Sequence, residues 1–177
     1  MGSGKSSVGQ YMARRCDTAF IDLDSYIESA ENLTIPEIFS QKGEQYFRNC
    51  ETDALKEIID RDNSCYPLTV LALGGGTLTT PCNAVLIKEK THCIYLKAGI
   101  ETIAKNLRNG VSNRPMLHGY IDSEENLRRR IGQLLSERES IYSQCAETNV
   151  VTDGKDIAGI ASEIIDYISA NLARDFR

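Results

Sequence analysis

The segment that most restricts what this chain can fold into is Gly2-Ser3-Gly4-Lys5-Ser6-Ser7, at its head. Gly4-Lys5-Ser6 closes the pattern G-x-x-x-x-G-K-[ST], a glycine loop that runs from a strand into a helix. Glycines let backbone N–H groups turn inward and approach phosphate oxygens closely. In such a loop Lys5 reaches the β- and γ-phosphates, and the Ser6 hydroxyl holds Mg²⁺. The helix that follows, about 5–15, aims its positive end at the same phosphates. By itself G-K-S also fits a plain loop or linker, so the remaining residues must decide between the two.

Bulk properties exclude several classes of partner. A length of 177 residues suits one domain, and 41% hydrophobic with 25% charged residues leaves room for a real core. The net charge of −5 provides no global basic field for nucleic acid or an anionic membrane, so any anion site must be built locally. No apolar run reaches the length of about 18 residues that a membrane helix needs, and no basic-then-apolar leader is visible. Six cysteines are scattered without a C-x-x-C, and His92 and His118 are the two histidines. Unpaired thiols in a reducing cytoplasm are therefore expected rather than a disulfide framework or a zinc site.

Along the chain, short apolar strands alternate with helices, which implies βαβ units and a parallel sheet. Strands are expected over 18–24, 68–73, 93–96 and 149–151. Helices are expected over 5–15, in pieces over 25–59, then at 83–90, 100–107, 124–136, 138–145 and 157–172. Val8, Tyr11 and Met12 form the buried stripe of the first helix. Thr34 opens a helix with Pro36 in its first turn and Glu37 behind it, and Gly43 stops that helix. No internal repeat, low-complexity segment or domain linker is found.

Several of these elements carry groups suited to chemistry. The strand at 18–24 ends in Asp22 and Asp24. Ligands of open α/β sheets bind beyond the carboxyl ends of strands, which suits Asp22 to Mg²⁺ and Asp24 to a second substrate. Asp24 can equally cap the next helix. Arg48 and Glu51 stand one helical turn apart and can pair, which by spacing alone reads as a solvated pair. Gly74-Gly75-Gly76 follows an apolar strand, either to let a ligand lie against backbone or as a flexible turn. The polar stretch 108–117 carries Arg108 and Arg114; it reads as a flap over a phosphate site or as a solvated loop.

These residues resemble one family, shikimate kinase, within the nucleoside-monophosphate-kinase-like group of P-loop folds. The shared motifs are G-S-G-K-S-S at 2–7, F-I-D-L-D at 20–24, I-x-E-I-F at 35–39 and G-E-x-x-F-R-x-x-E at 43–51. They continue with L-G-G-G at 73–76, R-P-M-L at 114–117, and the R-x-x-x-Y of Arg138 and Tyr142. They occur in the family's order across nearly the whole chain. The resemblance implies a three-layer α/β fold with a parallel sheet of order 2-3-1-4-5. It also implies a substrate-binding helical region at about 25–61, a lid at about 108–123, and a monomer.

By the same resemblance, Gly2, Ser3, Gly4, Lys5, Ser6 and Ser7 bind the phosphates of ATP, and Ser6 with Asp22 serves Mg²⁺. Asp24 orients or deprotonates the attacking hydroxyl of shikimate. Arg48 and Arg138 grip its carboxylate, with Gly74, Gly75 and Gly76 beside the ring. Arg114 closes over the transferring phosphate, and Arg108 lies near the adenine. The residue types suit these roles, because planar guanidinium groups match a carboxylate bidentately. Phosphoryl transfer rewards positioning and charge neutralisation above all.

One departure is plain. The first glycine of the loop pattern falls two places ahead of Met1, and the family's central first strand is not in the sequence. Such a strand contributes two ladders of backbone hydrogen bonds, more than the ~5–15 kcal/mol net stability of a domain absorbs if lost. Either the start is placed too late or the chain is truncated into a dead or poorly folded product. The first is expected, with an active form carrying an apolar strand ahead of Met1 and these 177 residues alone impaired. Two other readings remain open. One is a kinase for another small polyol acid such as gluconate, and the other is a non-catalytic binding module derived from a kinase.

Overall fold

The computed structural model describes residues 2–61, 68–109 and 123–175. Its elements run α1 (Lys5–Arg15), β1 (Ala19–Asp22), α2 (Leu23–Glu31), α3 (Ile35–Lys42), α4 (Glu44–Asp60) and β2 (Thr69–Ala72). A short 3-10 turn, Thr77–Thr79, leads to α5 (Pro81–Lys90), β3 (Ile94–Lys97), α6 (Ile100–Asn109), α7 (Glu124–Cys145), β4 (Thr148–Val151) and α8 (Ile157–Asp175).

The strands pair in parallel, β1 with β2 and β3 with β4, in the registers Ala19 opposite Thr69 and Ile94 opposite Thr148. The expected single sheet is thus present as two two-stranded sheets, and no strand among the described residues joins β2 to β3. Helix α1 ties the pairs together instead. Val8 and Met12 pack in one cluster with Leu96, Val150, Ile160, Ala161 and Ile164, and Val70 and Ile94 pack against it. Successive residues of β2 serve opposite faces, as a pleat requires. Val70 faces the α1 and α8 layer, while Leu71 packs against buried side chains of the α2–α4 and α4–α5–α7 clusters. Helices therefore cover both faces of the strands, which makes three layers.

Local chemistry explains most element boundaries. Thr34 accepts the Glu37 N–H, and the Glu37 carboxylate accepts the Thr34 N–H at 2.8 Å, a complete capping box before α3. Gly43, at φ 83°, ends α3 and opens α4 with a backbone that side-chain-bearing residues rarely adopt. The stretches expected at 124–136 and 138–145 form one helix, α7, since Glu137 between them is no helix breaker. Tyr11 departs from the expected buried stripe: it is 39% exposed, and Gly9 and Ala13 complete the buried face beside Val8 and Met12. The small Gly9 matters, because a Cβ there would meet the Phe20 ring at 2.6 Å, so α1 lies directly on β1.

The described cysteines, Cys16, Cys50, Cys82, Cys93 and Cys145, are all unpaired, as expected; Cys65 lies outside the described residues. Burial pushes the Cys93 thiol up to about 11. No described helix is long and apolar enough to cross a membrane. The expected polar turn at 60–67 and the expected lid at 108–123 fall largely outside the described residues.

Because α1 and α8 hold the strand pairs together through one cluster, a cavity there should be felt globally. Ile164→Ala is expected to lower stability by about 2–5 kcal/mol. Chemical denaturation followed by circular dichroism measures it, and a loss under half a kcal/mol would show that the cluster does not carry the fold.

Candidate active site

The glycine loop is built as a seat for an anion. Gly2 and Gly4 adopt φ of 65° and 88°, the left-handed region that glycine occupies without strain. Gly4 is the N-cap of α1, no side chain caps that end, and no acidic residue stands in its first turn. The positive end of the helix is thus left for a ligand, while Arg14 and Arg15 complement the opposite end. Ser3 is buried, Lys5 is the half-buried first residue of the helix, and Ser6 and Ser7 are exposed. A side-chain amide fixes the loop from behind: Asn106 of α6 donates to the Gly2 carbonyl at 2.8 Å. A Cβ on Gly2 would lie 3.0 Å from Ile103, so the loop lies against α6.

Asp22 ends β1 and joins this loop to the next helix. Its Oδ2 accepts the Ser6 hydroxyl at 2.6 Å, and its Oδ1 accepts the Ser25 N–H at 3.3 Å. The cap of α2 is therefore Asp22; Asp24, the alternative expected cap, lies in the first turn of that helix. Because the strand turns into helix at Leu23, the two carboxylates are freed from the opposite-face rule of a strand. Asp24 reaches the glycine segment, where a Cβ on Gly74 would stand 2.6 Å from its Oδ1.

Gly74-Gly75-Gly76 is where the remaining groups meet. Arg138 Nη1 donates to the Gly75 carbonyl at 3.0 Å, and the Tyr142 hydroxyl donates to the same oxygen at 2.5 Å. A Cβ on Gly76 would lie 2.6 Å from Arg48 Nη1, so the guanidinium lies on bare backbone. The two arginines come from α4 and α7, which are far apart in sequence, and both are half-buried. The Tyr142 ring lies 5.3 Å from that of Tyr95, tilted by 53°, and burial raises its phenol above its ordinary pKa, so the hydroxyl remains a donor.

Behind Arg48 stands Glu51, 1% exposed. Its Oε2 accepts from Arg48 Nη1 at 2.5 Å, and its Oε1 accepts from the Thr77 hydroxyl at 2.6 Å. The pair is thus no solvated surface contact; the arginine is held from inside. Its other nitrogen, Nη2, pairs at 2.9 Å with Glu44, a 61% exposed carboxylate. Burial lowers the Arg48 pKa, but Glu51 and Glu44 together outweigh it and leave it above its ordinary value. Thr77 and Asn83 are themselves fully buried, and Asn83 Nδ2 donates to the Thr77 carbonyl at 3.2 Å.

The structure therefore brings together Ser6, Asp22, Asp24, Arg48, Gly74, Gly75, Gly76 and Arg138, with the loop of Gly2 to Ser7 at one end. Arg108 stands at the end of α6 in an exposed ion pair with Glu124. Arg114 lies outside the described residues. A surface cavity of about 560 Å³ opens beside Arg48, lined also by Gln45, Asp53, Thr79 and Cys82. It does not include Lys5, Asp22 or Asp24, so the site is defined by the convergence of side chains rather than by this hollow. Sequence reasoning did not find Thr77, Asn83 or a role for Tyr142. A threonine after three glycines carries no periodicity that reveals burial.

Known proteins are similar to this chain over almost its full length. A family model described as shikimate kinase matches residues 1–169. The chain is 39% identical over 170 residues to a shikimate kinase of Dictyoglomus turgidum, covering 95% of this chain and 92% of the relative. It is 34% identical to one of Geobacter metallireducens, covering 95% and 87%. A shikimate kinase of Acinetobacter baumannii solved in complex with shikimate superposes with a TM-score of 0.85 at 32% identity, covering 97% of this chain and 89% of that one. One from Bacteroides thetaiotaomicron gives a TM-score of 0.85 at 28% identity, covering 96% and 94%. On this evidence of sequence, fold and family match together, the chain belongs to the shikimate kinase family.

Proposed function

We propose that this chain transfers the γ-phosphoryl group of ATP to the 3-hydroxyl of shikimate. The observation that carries the reading is the meeting of Arg48 and Arg138 on one glycine segment that Asp24 also touches. Two guanidinium groups beside a carboxylate suit a small acid with hydroxyls, the acid on the arginines and a hydroxyl toward Asp24.

In this reading the amides of Gly2, Ser3 and Gly4, with Lys5, Ser6 and Ser7, seat the phosphates at the start of α1. Ser6 and Asp22, hydrogen-bonded at 2.6 Å, form an oxygen pair of the type Mg²⁺ takes alongside phosphate oxygens and water. No group of three or more His, Cys, Asp or Glu is poised for a metal among the described residues, which suits an ion bound chiefly through the nucleotide. When bound, Mg²⁺ neutralises phosphate charge. Asp24 orients the attacking hydroxyl or takes its proton, and Gly74 to Gly76 lie beside the ring. Arg114, which lies outside the described residues, is assigned to the transferring phosphate, and Arg108 to the adenine end. The helical region at about 25–61 serves as the acid-binding part of a single kinase domain. The chain works as a monomer in the cytoplasm, without nucleic acid or membrane. The acidic net charge supports the lack of a polyanion partner, and the unpaired cysteines among the described residues support a reducing compartment.

Two outcomes follow. Purified protein with Mg²⁺ and ATP should release ADP in proportion to added shikimate and not to added gluconate. Turnover with gluconate, or none with either acid, would remove the proposal. Gly74→Ala should lower kcat/KM for shikimate by about 10²-fold, because the new methyl displaces Asp24 and Glu51 from their working positions. Steady-state kinetics with a thermal melt as folding control measures it, and an unchanged kcat/KM would contradict the contact.

A further inference from the structure

We infer that Thr77 is a positioning residue for acid binding, acting through Glu51 on Arg48; this rests on the function proposed above. The argument begins with one proton. The Thr77 side chain has a single O–H, which is directed to Glu51 Oε1 at 2.6 Å. Thr77 is 0% exposed and Glu51 1% exposed, so water does not replace that bond if it is lost. The carboxylate then divides its work cleanly: Oε1 is held by Thr77, and Oε2 is left for Arg48 Nη1 at 2.5 Å.

Thr77 is itself held on both sides. Its N–H donates to the Gly74 carbonyl at 3.4 Å, and its carbonyl accepts from the buried Asn83 amide at 3.2 Å. Asn83 is anchored in α5, so a continuous line of buried polar contacts runs from α5 through Thr77 and Glu51 to the guanidinium. The same hydroxyl also shapes the glycine segment, since a Cβ on Gly74 would lie 3.0 Å from Thr77 Oγ1 and 3.1 Å from Glu51 Oε1. Without the hydroxyl, Glu51 has one unpaired oxygen in a dry pocket, and the arginine is the group free to follow it. None of the hydrogen bonds named from Asn83 through Thr77 and Glu51 to Arg48 ends on Gly2 to Ser7, so the effect should fall first on the acid.

Thr77→Val keeps the branched shape and removes the hydroxyl; Thr77→Ser keeps the hydroxyl and removes a methyl. Wild type and both variants are assayed with shikimate and ATP varied in turn, with thermal melts alongside. Thr77→Val should raise the KM for shikimate by roughly tenfold, the cost of unpairing one buried acceptor of a charged group. The KM for ATP should stay at the wild-type value, and Thr77→Ser should restore the KM for shikimate. A wild-type KM for shikimate in Thr77→Val overturns the inference. So does an equal rise in both KM values, or a failure of Thr77→Ser to restore binding, each of which marks a merely structural role. A wild-type protein inactive on shikimate overturns the proposed function first, and the wild-type arm alone reveals that case.

Discussion

A carboxylate with 1% of its surface exposed has to be satisfied from inside the protein, and Glu51 sets that demand here. Breaking a buried ion pair by removing one partner costs about 3–5 kcal/mol, because the other charge is left alone. Arg48 answers one oxygen and Thr77 the other. In satisfying Glu51, the chain fixes a guanidinium against the bare backbone of Gly76, with its second face turned toward an exposed and weakly held carboxylate, Glu44. A surface pair of that kind contributes little and exchanges readily. The buried partner holds the arginine, and in the proposed function the exposed one gives way to the incoming acid.

The rest of the site is arranged by closeness to the same glycine segment. Gly74 admits Asp24, Gly75 offers its carbonyl to Arg138 and Tyr142, and Gly76 admits Arg48. Three helices from different parts of the chain thus meet without any side chain of the segment in the way. The turn from β1 into α2 supplies the link to the other end. Asp22 holds Ser6 at the phosphate loop, and Asp24, two residues on, touches Gly74. In the proposed function this short turn would bring a phosphoryl donor and an acceptor hydroxyl together, which is most of what this chemistry asks of a protein.

Much of this was legible in the residues. The loop at 2–7 with its helix, the capping box of Thr34 and Glu37, the stop at Gly43, and the alternation of strand and helix depend on local rules, and the structure follows them. The pairing of β1 with β2 and of β3 with β4 matches the neighbours in the order 2-3-1-4-5 that the resemblance implied. What escaped depends on distant contacts. The Arg48–Glu51 spacing is the same for a solvated pair and a buried one, and only the packing of the 3-10 turn at Thr77 separates them. Asp22 rather than Asp24 caps α2, because the strand ends two residues earlier than the expected 18–24. Tyr11 sits on an apolar stripe yet faces out, since Gly9 lets α1 press onto Phe20. The two separate strand pairs lie on either side of the place where the order 2-3-1-4-5 puts its first strand, the one this sequence lacks, and α1 packs against both.

The claim on which the account rests is that Arg48 and Arg138 together read the acid group of the substrate. Calorimetric titration of shikimate and of its methyl ester into the wild-type protein, Arg48→Ala, Arg138→Ala and the double variant tests it most directly. Wild type should strongly prefer the acid, each single variant should lose part of that preference, and the double variant should bind acid and ester alike. If the double variant still prefers the acid as strongly as wild type, the guanidinium groups do not read the carboxylate, and the account is wrong.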